Sequence, residues 1–295
     1  ITNLAVGENV FMWTIDNGPC ENSGSIDIVS IFVFSDVNAD ANAGPDQELC
    51  TPNVTDATLA GSPVTFPSVG TWTLVSGTGT IANANDPGTM VFDISIGESI
   101  FQWTVSNGPC ANGLTTDQVS IQVFDETNPS ANAGADQDLC TSGGTTAQLN
   151  ASPVTFPAIG TWTVVSGQGT VTDPNSPTTD ITNLGVGVII VEWTVDNGAC
   201  PNGLTSDQLV ITLYDELNPI ADAGVDQELC TPTGTTASTN LQGSAIIFPA
   251  VGTWTVVSGT GVLSNPNDPA SAVTGLEIGE HIFQWTVSNG PCANP

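Results

Sequence analysis

Apolar and polar residues alternate with a period of two along most of the chain. In IFQWTVS (100–106), Phe101, Trp103 and Val105 fall on one face and polar residues on the other. The stretch DQVSIQVF (117–124) repeats this alternation. The period is typical of antiparallel strands with one buried and one wet face. Turn sequences rich in Gly, Pro and Asn separate the segments, and no window has a convincing helical period, so the pattern predicts an all-β protein.

The same strand sequences return about every ninety residues, which is the size of one small β-sandwich domain. Four series of residues keep this spacing: Trp13, Trp103, Trp193 and Trp285; Trp72, Trp162 and Trp254; Cys20, Cys110, Cys200 and Cys292; and Cys50, Cys140 and Cys230. We therefore expect a tandem array of immunoglobulin-like sandwiches. The expected repeats are the C-terminal part of a truncated sandwich in 1–37, complete sandwiches in 38–127 and 128–217, and a sandwich lacking its last strand in 218–295. We expect this chain to be a segment of a longer array.

The second repeat (38–127) predicts about seven strands. They are a first strand in 41–50, strands in 57–62 and 70–76, one or two short strands in 79–95, a penultimate strand in 99–106 and a last strand in 117–124. The two tryptophans fall on the third and penultimate strands, which we expect to face each other in the sandwich. The predicted core tryptophans are Trp72, Trp103, Trp162, Trp193, Trp254 and Trp285.

The charged residues are all of one sign. The 295 residues include 30 Asp and Glu, no Lys or Arg and one His, which gives a formal net charge of −30. Binding to nucleic acids or to anionic membranes requires cationic side chains, so both are excluded as direct interactions. A chain without Lys or Arg also offers no cleavage site to a trypsin-like protease, which suits a protein exposed to such enzymes.

The residues offer little for catalysis. His281 is the only histidine, so neither a Ser-His-Asp triad nor a His/Cys zinc site can be assembled. We interpret His281 as a surface residue beside a turn. The sequence predicts a protein that is not an enzyme and has no required cofactor.

The segments between repeats are the best candidates for a ligand-binding site. FDETNPSANAGADQ (124–137) and YDELNPIADAGVDQ (214–227) concentrate carboxylate and amide oxygens, which Ca²⁺ prefers. The candidate ligands are Asp125, Asp136, Asp215 and Asp226. The alternative is a polar linker, stiffened by proline, that binds no ion, and we favour it because the spacing matches no rigid ligand template.

Two motifs resemble a known family. ANAGPDQ (41–47) and GESIFQWTVSNG (97–108) resemble the first and late segments of PKD-type β-sandwich repeats. Together with the recurring cysteines and GTWT segments, they resemble the PKD-like tandem repeats of very large surface adhesins that gliding bacteria export by the type IX secretion system. The resemblance implies a secreted, cell-surface stalk or filament, and it carries over no catalytic residue.

In an extracellular protein the recurring cysteines predict disulfides. The preferred pairing lies within each repeat: Cys50–Cys110, Cys140–Cys200 and Cys230–Cys292, with the partner of Cys20 outside this chain. Pairing across the nearest junction, Cys20–Cys50 and Cys110–Cys140, is a second option. A third option, Cys50–Cys200 and Cys140–Cys292, joins the first strand of one repeat to the loop after the penultimate strand of the next.

The expected function is a rigid, protease-resistant spacer of an adhesin, whose partners are neighbouring repeats of the same chain. One alternative is a module that binds surface glycans or a protein partner. However, the loops 62–70 and 152–160 are nearly identical, which favours a spacer. Another alternative is a filament subunit in which 1–37 donates the strand missing from 218–295 of another copy.

Overall fold

The computed structural model describes residues 1–19, 24–37, 40–52, 55–111, 113–216 and 220–292. Within these ranges the protein is built from strands, and the only helix is a 3₁₀ turn at Thr141–Gly143. No helix among the described residues has the length and apolar character needed to cross a membrane. The all-β prediction is therefore confirmed.

The described residues before the third repeat form the strands β1 (Gly7–Ile15), β2 (Ser25–Val33), β3 (Gln47–Cys50), β4 (Ala57–Thr58), β5 (Val69–Ser76), β6 (Thr80–Ile81), β7 (Met90–Phe92), β8 (Gly97–Ser106) and β9 (Leu114–Phe124). The strands of the third repeat are β10 (Gln137–Cys140), β11 (Ala147–Asn150), β12 (Ile159–Ser166), β13 (Thr170–Val171), β14 (Thr178–Thr182), β15 (Gly187–Asp196) and β16 (Leu204–Tyr214). The fourth repeat contains β17 (Ala237–Asn240), β18 (Val251–Ser258), β19 (Val262–Leu263), β20 (Ala272–Leu276) and β21 (Ile282–Ser288).

The chain divides into two compact units that do not follow the ninety-residue repeats. Unit 1 contains residues 1–128 together with 155–159 and 196–204 of the third repeat. Unit 2 contains 129–154, 160–195 and 205–295. Two segments of the third repeat, 155–159 and 196–204, thus belong to the same compact unit as the second repeat.

In unit 1, the second repeat forms a two-sheet sandwich. One sheet has the order β3-β9-β8-β5 and the other β4-β7-β6. The first strand, β3, runs parallel to the last strand, β9, whereas β8 runs antiparallel to β9. The alternation read from the sequence fixes which side chains enter the core: Phe101 and Trp103 of β8 and Ile121 of β9 are all completely buried.

In unit 2, the third repeat has the same architecture and the fourth is more open. The third repeat pairs its strands in the orders β10-β16-β15-β12 and β11-β14-β13. The fourth has a three-stranded sheet β17-β20-β19 and a two-stranded sheet β18-β21. Each repeat has its own apolar core.

Paired tryptophans occupy the centre of each core. β5 and β8 are neighbours in one sheet with Trp72 directly opposite Trp103, so these strands do not face each other across the sandwich as predicted. Their ring centroids lie 4.9 Å apart. A Cβ at Gly70 would overlap the Trp103 ring, which explains the glycine two residues before each first tryptophan. The equivalent pairs are Trp162–Trp193 and Trp254–Trp285, and all six tryptophans are at most 4% exposed.

The first repeat is represented by two strands. β1 and β2 pair antiparallel along their whole length, with Trp13 opposite Asp27. No second sheet of the described residues covers their apolar side chains, and Trp13 is 71% exposed. An isolated two-stranded sheet is marginally stable in water, so this pair is the least protected part of unit 1.

Candidate functional site

Strand register places a cysteine beside the aromatic end of the last strand in the second and third repeats. The parallel pairing of β3 and β9 sets Cys50 next to Phe124, and the pairing of β10 and β16 sets Cys140 next to Tyr214. A cysteine at the end of the first strand therefore lies at the pole from which the chain leaves for the next repeat.

The aromatic residue at that pole packs on a glycine of the following repeat. Phe124 is 5% exposed, and a Cβ at Gly198 would overlap its ring. Gly198 has a φ of 51°, a left-handed conformation that glycine adopts without strain. Cys200 follows two residues later, so the contact between ring and glycine also brings Cys200 to Cys50.

These contacts produce disulfides that join successive repeats. Cys50 is bonded to Cys200 with their Cα atoms 5.0 Å apart, and Cys140 to Cys292 with Cα atoms 5.6 Å apart. Both distances fall within the ordinary range for disulfides. The third pairing option is thus the one in the structure. The first bond lies in unit 1 and the second in unit 2.

The preferred pairing within each repeat, which would form Cys50–Cys110, Cys140–Cys200 and Cys230–Cys292, is wrong. Cys50 lies beside Phe124 at one end of β9, whereas the loop carrying Cys110 leaves β8 where Ser106 pairs with Leu114, at the other end. Eleven residues of strand separate those ends by about 30 Å. Among the described residues Cys110 and Cys230 are free, and Cys20 lies outside the described residues.

A buried asparagine anchors the loop beside each cysteine. Asn197 is completely buried, and its Nδ2 donates to the Asp125 carbonyl at 3.0 Å. Its Oδ1 accepts from Asn128 Nδ2 at 2.9 Å. Asn128, in the linker between the second and third repeats, also accepts from the Thr155 amide at 2.8 Å through its Oδ1. Buried amides stabilise a structure only when they are hydrogen-bonded, so this network orients the linker and the loop together.

The junction that follows the third repeat, in unit 2, has the same parts. Tyr214 packs against Gly290, and Asn289 Nδ2 donates to the Asp215 carbonyl at 2.9 Å. Cys292 follows Gly290 by two residues and carries the bond to Cys140.

Among the described residues, the junction that follows the first repeat, in unit 1, has the noncovalent contacts alone. Phe34 packs on Gly108, where a Cβ would lie 2.7 Å from Phe34 Cζ. Asn107 Nδ2 donates to the Ser35 carbonyl at 2.9 Å. Cys110 follows two residues later and is free. The same loop sequence therefore builds the same contacts with and without a disulfide.

The linker carboxylates proposed as Ca²⁺ ligands make hydrogen bonds to the protein. Asp125 Oδ1 accepts from the Thr127 amide at 2.8 Å, which closes a local turn. Asp136 Oδ1 accepts from the Val210 amide at 2.9 Å and thereby joins the linker to β16. Asp215 contributes its backbone carbonyl to the junction, and Asp226 lines a groove in the fourth repeat. Ca²⁺ binding at these residues stays a prediction.

Two remaining groups of potentially reactive side chains have structural roles. In the described part of the chain, the only group of three metal-ligating side chains is Cys140, Glu216 and Cys292, and its two cysteines are joined to each other. His281 Nδ1 accepts from the Thr260 amide at 2.9 Å. Its counterpart Ser99 accepts from the Thr78 amide at 3.0 Å in the same way, so His281 fills a turn-closing position.

No protein-family model matches the chain, and no curated protein matches it. Among solved structures, it is similar to the PKD domain of the KIAA 1837 protein, with 30% identity over 31% of this chain and 91% of that one and a TM-score of 0.27. It is also similar to the titin I-band fragment I67–I69, with 14% identity, coverage of 84% and 93%, and a TM-score of 0.33. Immunoglobulin domains 1–4 of Sidekick-1 align with 12% identity, coverage of 98% and 94%, and a TM-score of 0.30. Because these TM-scores are low, the fold assignment rests on the sheets and cores described above.

The aromatic residue, the buried asparagine and the glycine of each junction were not predicted from the sequence. Their signal was present, because the chain repeats Phe or Tyr at the end of the last strand and Asn-Gly before each loop cysteine. Recognising them requires knowing that the two motifs meet across a junction, and a single repeat does not reveal this.

Proposed function

We propose that this chain is a mechanical spacer in an extracellular adhesin, built to resist extension along its length. The observation that carries the proposal is the arrangement of its two disulfides. The loop closed by Cys50–Cys200 spans 150 residues and the loop closed by Cys140–Cys292 spans 152. The loops overlap, since Cys140 lies inside the first and Cys200 inside the second.

Overlapping loops shorten the path that a pulling force can follow. Between Cys50 and Cys292 an unbridged chain would offer roughly 240 residues, about 800 Å when fully extended. With both bonds present, the path runs from Cys50 to Cys200, back along the chain to Cys140 and across to Cys292. Only the roughly 60 residues between Cys140 and Cys200 remain extensible, which is about 200 Å. The bonds thus limit the extension even if every sandwich unfolds.

The junction contacts and the composition support the same role. The three junctions repeat an aromatic ring on a glycine and an asparagine bonded to a carbonyl, which favours a defined linkage over a flexible one. The resemblance to PKD-like repeats of surface adhesins, the persistence of disulfides outside the cell and the absence of Lys and Arg favour an extracellular location. None of these features requires catalysis.

Single-molecule pulling of the whole chain from its two ends tests the proposal. We expect the extension available between Cys50 and Cys292 to rise from about 200 Å to about 800 Å when a reductant is added. Cys50→Ser removes one loop and leaves about 90 residues between Cys50 and Cys140 in the path, so an extension of about 300 Å is expected. Cys110→Ser is the matched control and should leave the oxidised extension unchanged.

An oxidised chain that extends as far as the reduced chain would refute the spacer proposal. A glycan array probed with the oxidised chain addresses the alternative of a carbohydrate-binding module, which the nearly copied loops do not favour.

A further inference from the structure

The Cys140–Cys292 disulfide has a carboxylate beside it. A carboxylate oxygen of Glu216 and the two sulfur atoms all lie within 4.8 Å of one another. Glu216 is the second residue after β16, and the last residue of β16, Tyr214, pairs with Cys140 at the end of β10. The register that brings Cys140 to Tyr214 therefore also brings the carboxylate to the disulfide.

Two hydrogen bonds to the turn after Cys140 hold Glu216 in this position. The Glu216 amide donates to Thr141 Oγ1 at 3.2 Å, which fixes its backbone. The Ser142 hydroxyl donates to Glu216 Oε1, which fixes its side chain. A hydrogen bond from a hydroxyl to a carboxylate is charge-assisted and strong, so Ser142 keeps the negative charge beside the sulfur atoms.

The Cys50–Cys200 disulfide in unit 1 provides a comparison within the same chain. Glu126 is the equivalent glutamate, two residues after β9. Pro52 replaces the serine of the turn and has no hydroxyl group to donate. Glu126 Oε2 accordingly has no hydrogen-bond partner. Within the described residues, no carboxylate lies as close to both sulfur atoms of this disulfide.

The two disulfides are buried to the same degree. Cys200 is 6% exposed and Cys292 is 8% exposed. Cys50 and Cys140 are both half-buried. Exposure of the cysteines therefore does not distinguish the two bonds, whereas the charge beside them does.

Thiol–disulfide exchange is the reaction that such a charge affects. A thiolate attacks one sulfur atom, the S–S bond breaks, and its electron pair leaves with the other cysteine as a thiolate. A second thiolate attacks the mixed disulfide and releases the remaining cysteine thiolate, so two small thiols supply two electrons and become a disulfide. The cysteine thiolates then take up protons from water. The attacking and leaving sulfurs both carry negative charge, which a neighbouring carboxylate repels.

We propose that Glu216, positioned by Ser142, protects the Cys140–Cys292 disulfide from reduction by anionic thiols. Cationic side chains favour thiolates, and this chain has no Lys or Arg to offset the carboxylate. Near a protein surface, the repulsion between two unit charges about 5 Å apart is sufficient to slow the attack about tenfold. Cys50–Cys200 lacks this protection, so it is the bond that dissolved thiols open first. The inference concerns the reactivity of one bond and does not depend on the spacer function.

The test measures the reduction of both disulfides in the same folded chain. After timed exposure to glutathione, alkylation and peptide mapping give an initial rate for each bond. We expect Cys140–Cys292 to be reduced about tenfold more slowly than Cys50–Cys200. Reduction of Cys140–Cys292 at the same rate or faster would overturn the proposal. The other cysteines are first changed to serine so that only the added thiol reacts: Cys20→Ser, Cys110→Ser and Cys230→Ser.

Glu216→Gln removes the charge and keeps an oxygen that accepts from Ser142. The variant is compared with the unmodified glutamate using glutathione, 2-mercaptoethanol and cysteamine, whose groups other than the thiol are anionic, uncharged and cationic. We expect Glu216→Gln to accelerate the reduction of Cys140–Cys292 most with glutathione and least with cysteamine. The acceleration should shrink in 1 M salt, where the Debye length is about 3 Å. Equal acceleration with all three thiols would indicate loosened packing and would contradict protection by charge.

Two further variants test the positioning of the carboxylate. Ser142→Ala releases the carboxylate and should reproduce part of the acceleration, in the same order of thiol charge. Glu126→Gln is the matched control, and it should accelerate the reduction of Cys50–Cys200 clearly less than Glu216→Gln accelerates that of Cys140–Cys292. An unchanged rate in Ser142→Ala, or equal effects of the two glutamine variants, would refute the positioning role of Ser142. None of these outcomes affects the extension test of the spacer function, which compares fully oxidised with fully reduced chains.

Discussion

The junctions that follow the first and second repeats use the same contacts but differ in one covalent bond. In the first, Phe34 packs on Gly108 and Asn107 donates to a backbone carbonyl. In the second, Phe124 packs on Gly198 and Asn197 does the same. The second junction is also bridged by Cys50–Cys200, whereas Cys110 in the first is free.

This difference shows that two ranges of sequence build a junction. The noncovalent contacts need the end of one last strand and the Asn-Gly loop of the next repeat. The disulfide needs in addition a first strand that pairs parallel to that last strand and ends in cysteine. The first junction lacks such a strand among the described residues. Its stability therefore depends on the noncovalent contacts alone.

Proteolytic cleavage of the two linkers should show the largest difference between the first and second junctions. Because the chain has no Lys or Arg, one lysine creates a unique trypsin site, and Val37→Lys or Ser130→Lys places it in the first or second linker. In denaturant without reductant, trypsin should release 1–37 from the first variant. In the second variant the two fragments should stay joined until reductant is added.

The unmodified chain is the control and should stay intact with trypsin, reduced or oxidised. Release of the fragments 1–130 and 131–295 from the Ser130→Lys variant without reductant would contradict the Cys50–Cys200 bond.

The fold was largely predictable from the sequence, and the pairing of cysteines was not. Alternation in strands such as β8 and β9 predicted which residues are buried, because strand faces follow a period of two. The tryptophan positions predicted the cores but not that Trp72 and Trp103 are neighbours in one sheet. Spacing alone made Cys50–Cys110 as reasonable as Cys50–Cys200. The choice depends on strand direction, since β3 is parallel to β9 and thus ends at the pole opposite the Cys110 loop.

Removing the aromatic ring should destabilise both junctions, but by different amounts, and the difference should be smaller than that from linker cleavage. Phe124 is 5% exposed, so Phe124→Ala should lower the free energy of unfolding by about 3–5 kcal/mol. Phe34 is only partly buried, and Phe34→Ala should cost clearly less. Chemical denaturation of both variants, measured under reducing conditions so that no disulfide contributes, checks the order. Equal costs for the two variants would show that the first junction is packed as tightly as the second.

Chelation of divalent cations should give the smallest effect, and it tests whether a cation supports the linker between the second and third repeats. Asp125 and Asp136 already accept hydrogen bonds from Thr127 and Val210, so we expect EDTA to leave the melting temperature unchanged. A cation contributing even 1 kcal/mol to one repeat would shift its melting temperature by about 4–8 °C, which calorimetry resolves. Asp125→Asn should likewise have little effect, since its amide oxygen can still accept from Thr127. If EDTA instead lowered the melting temperature and Asp125→Asn reproduced the loss, the linker would be a Ca²⁺ site. A bound cation would then strengthen the second junction in addition to its disulfide.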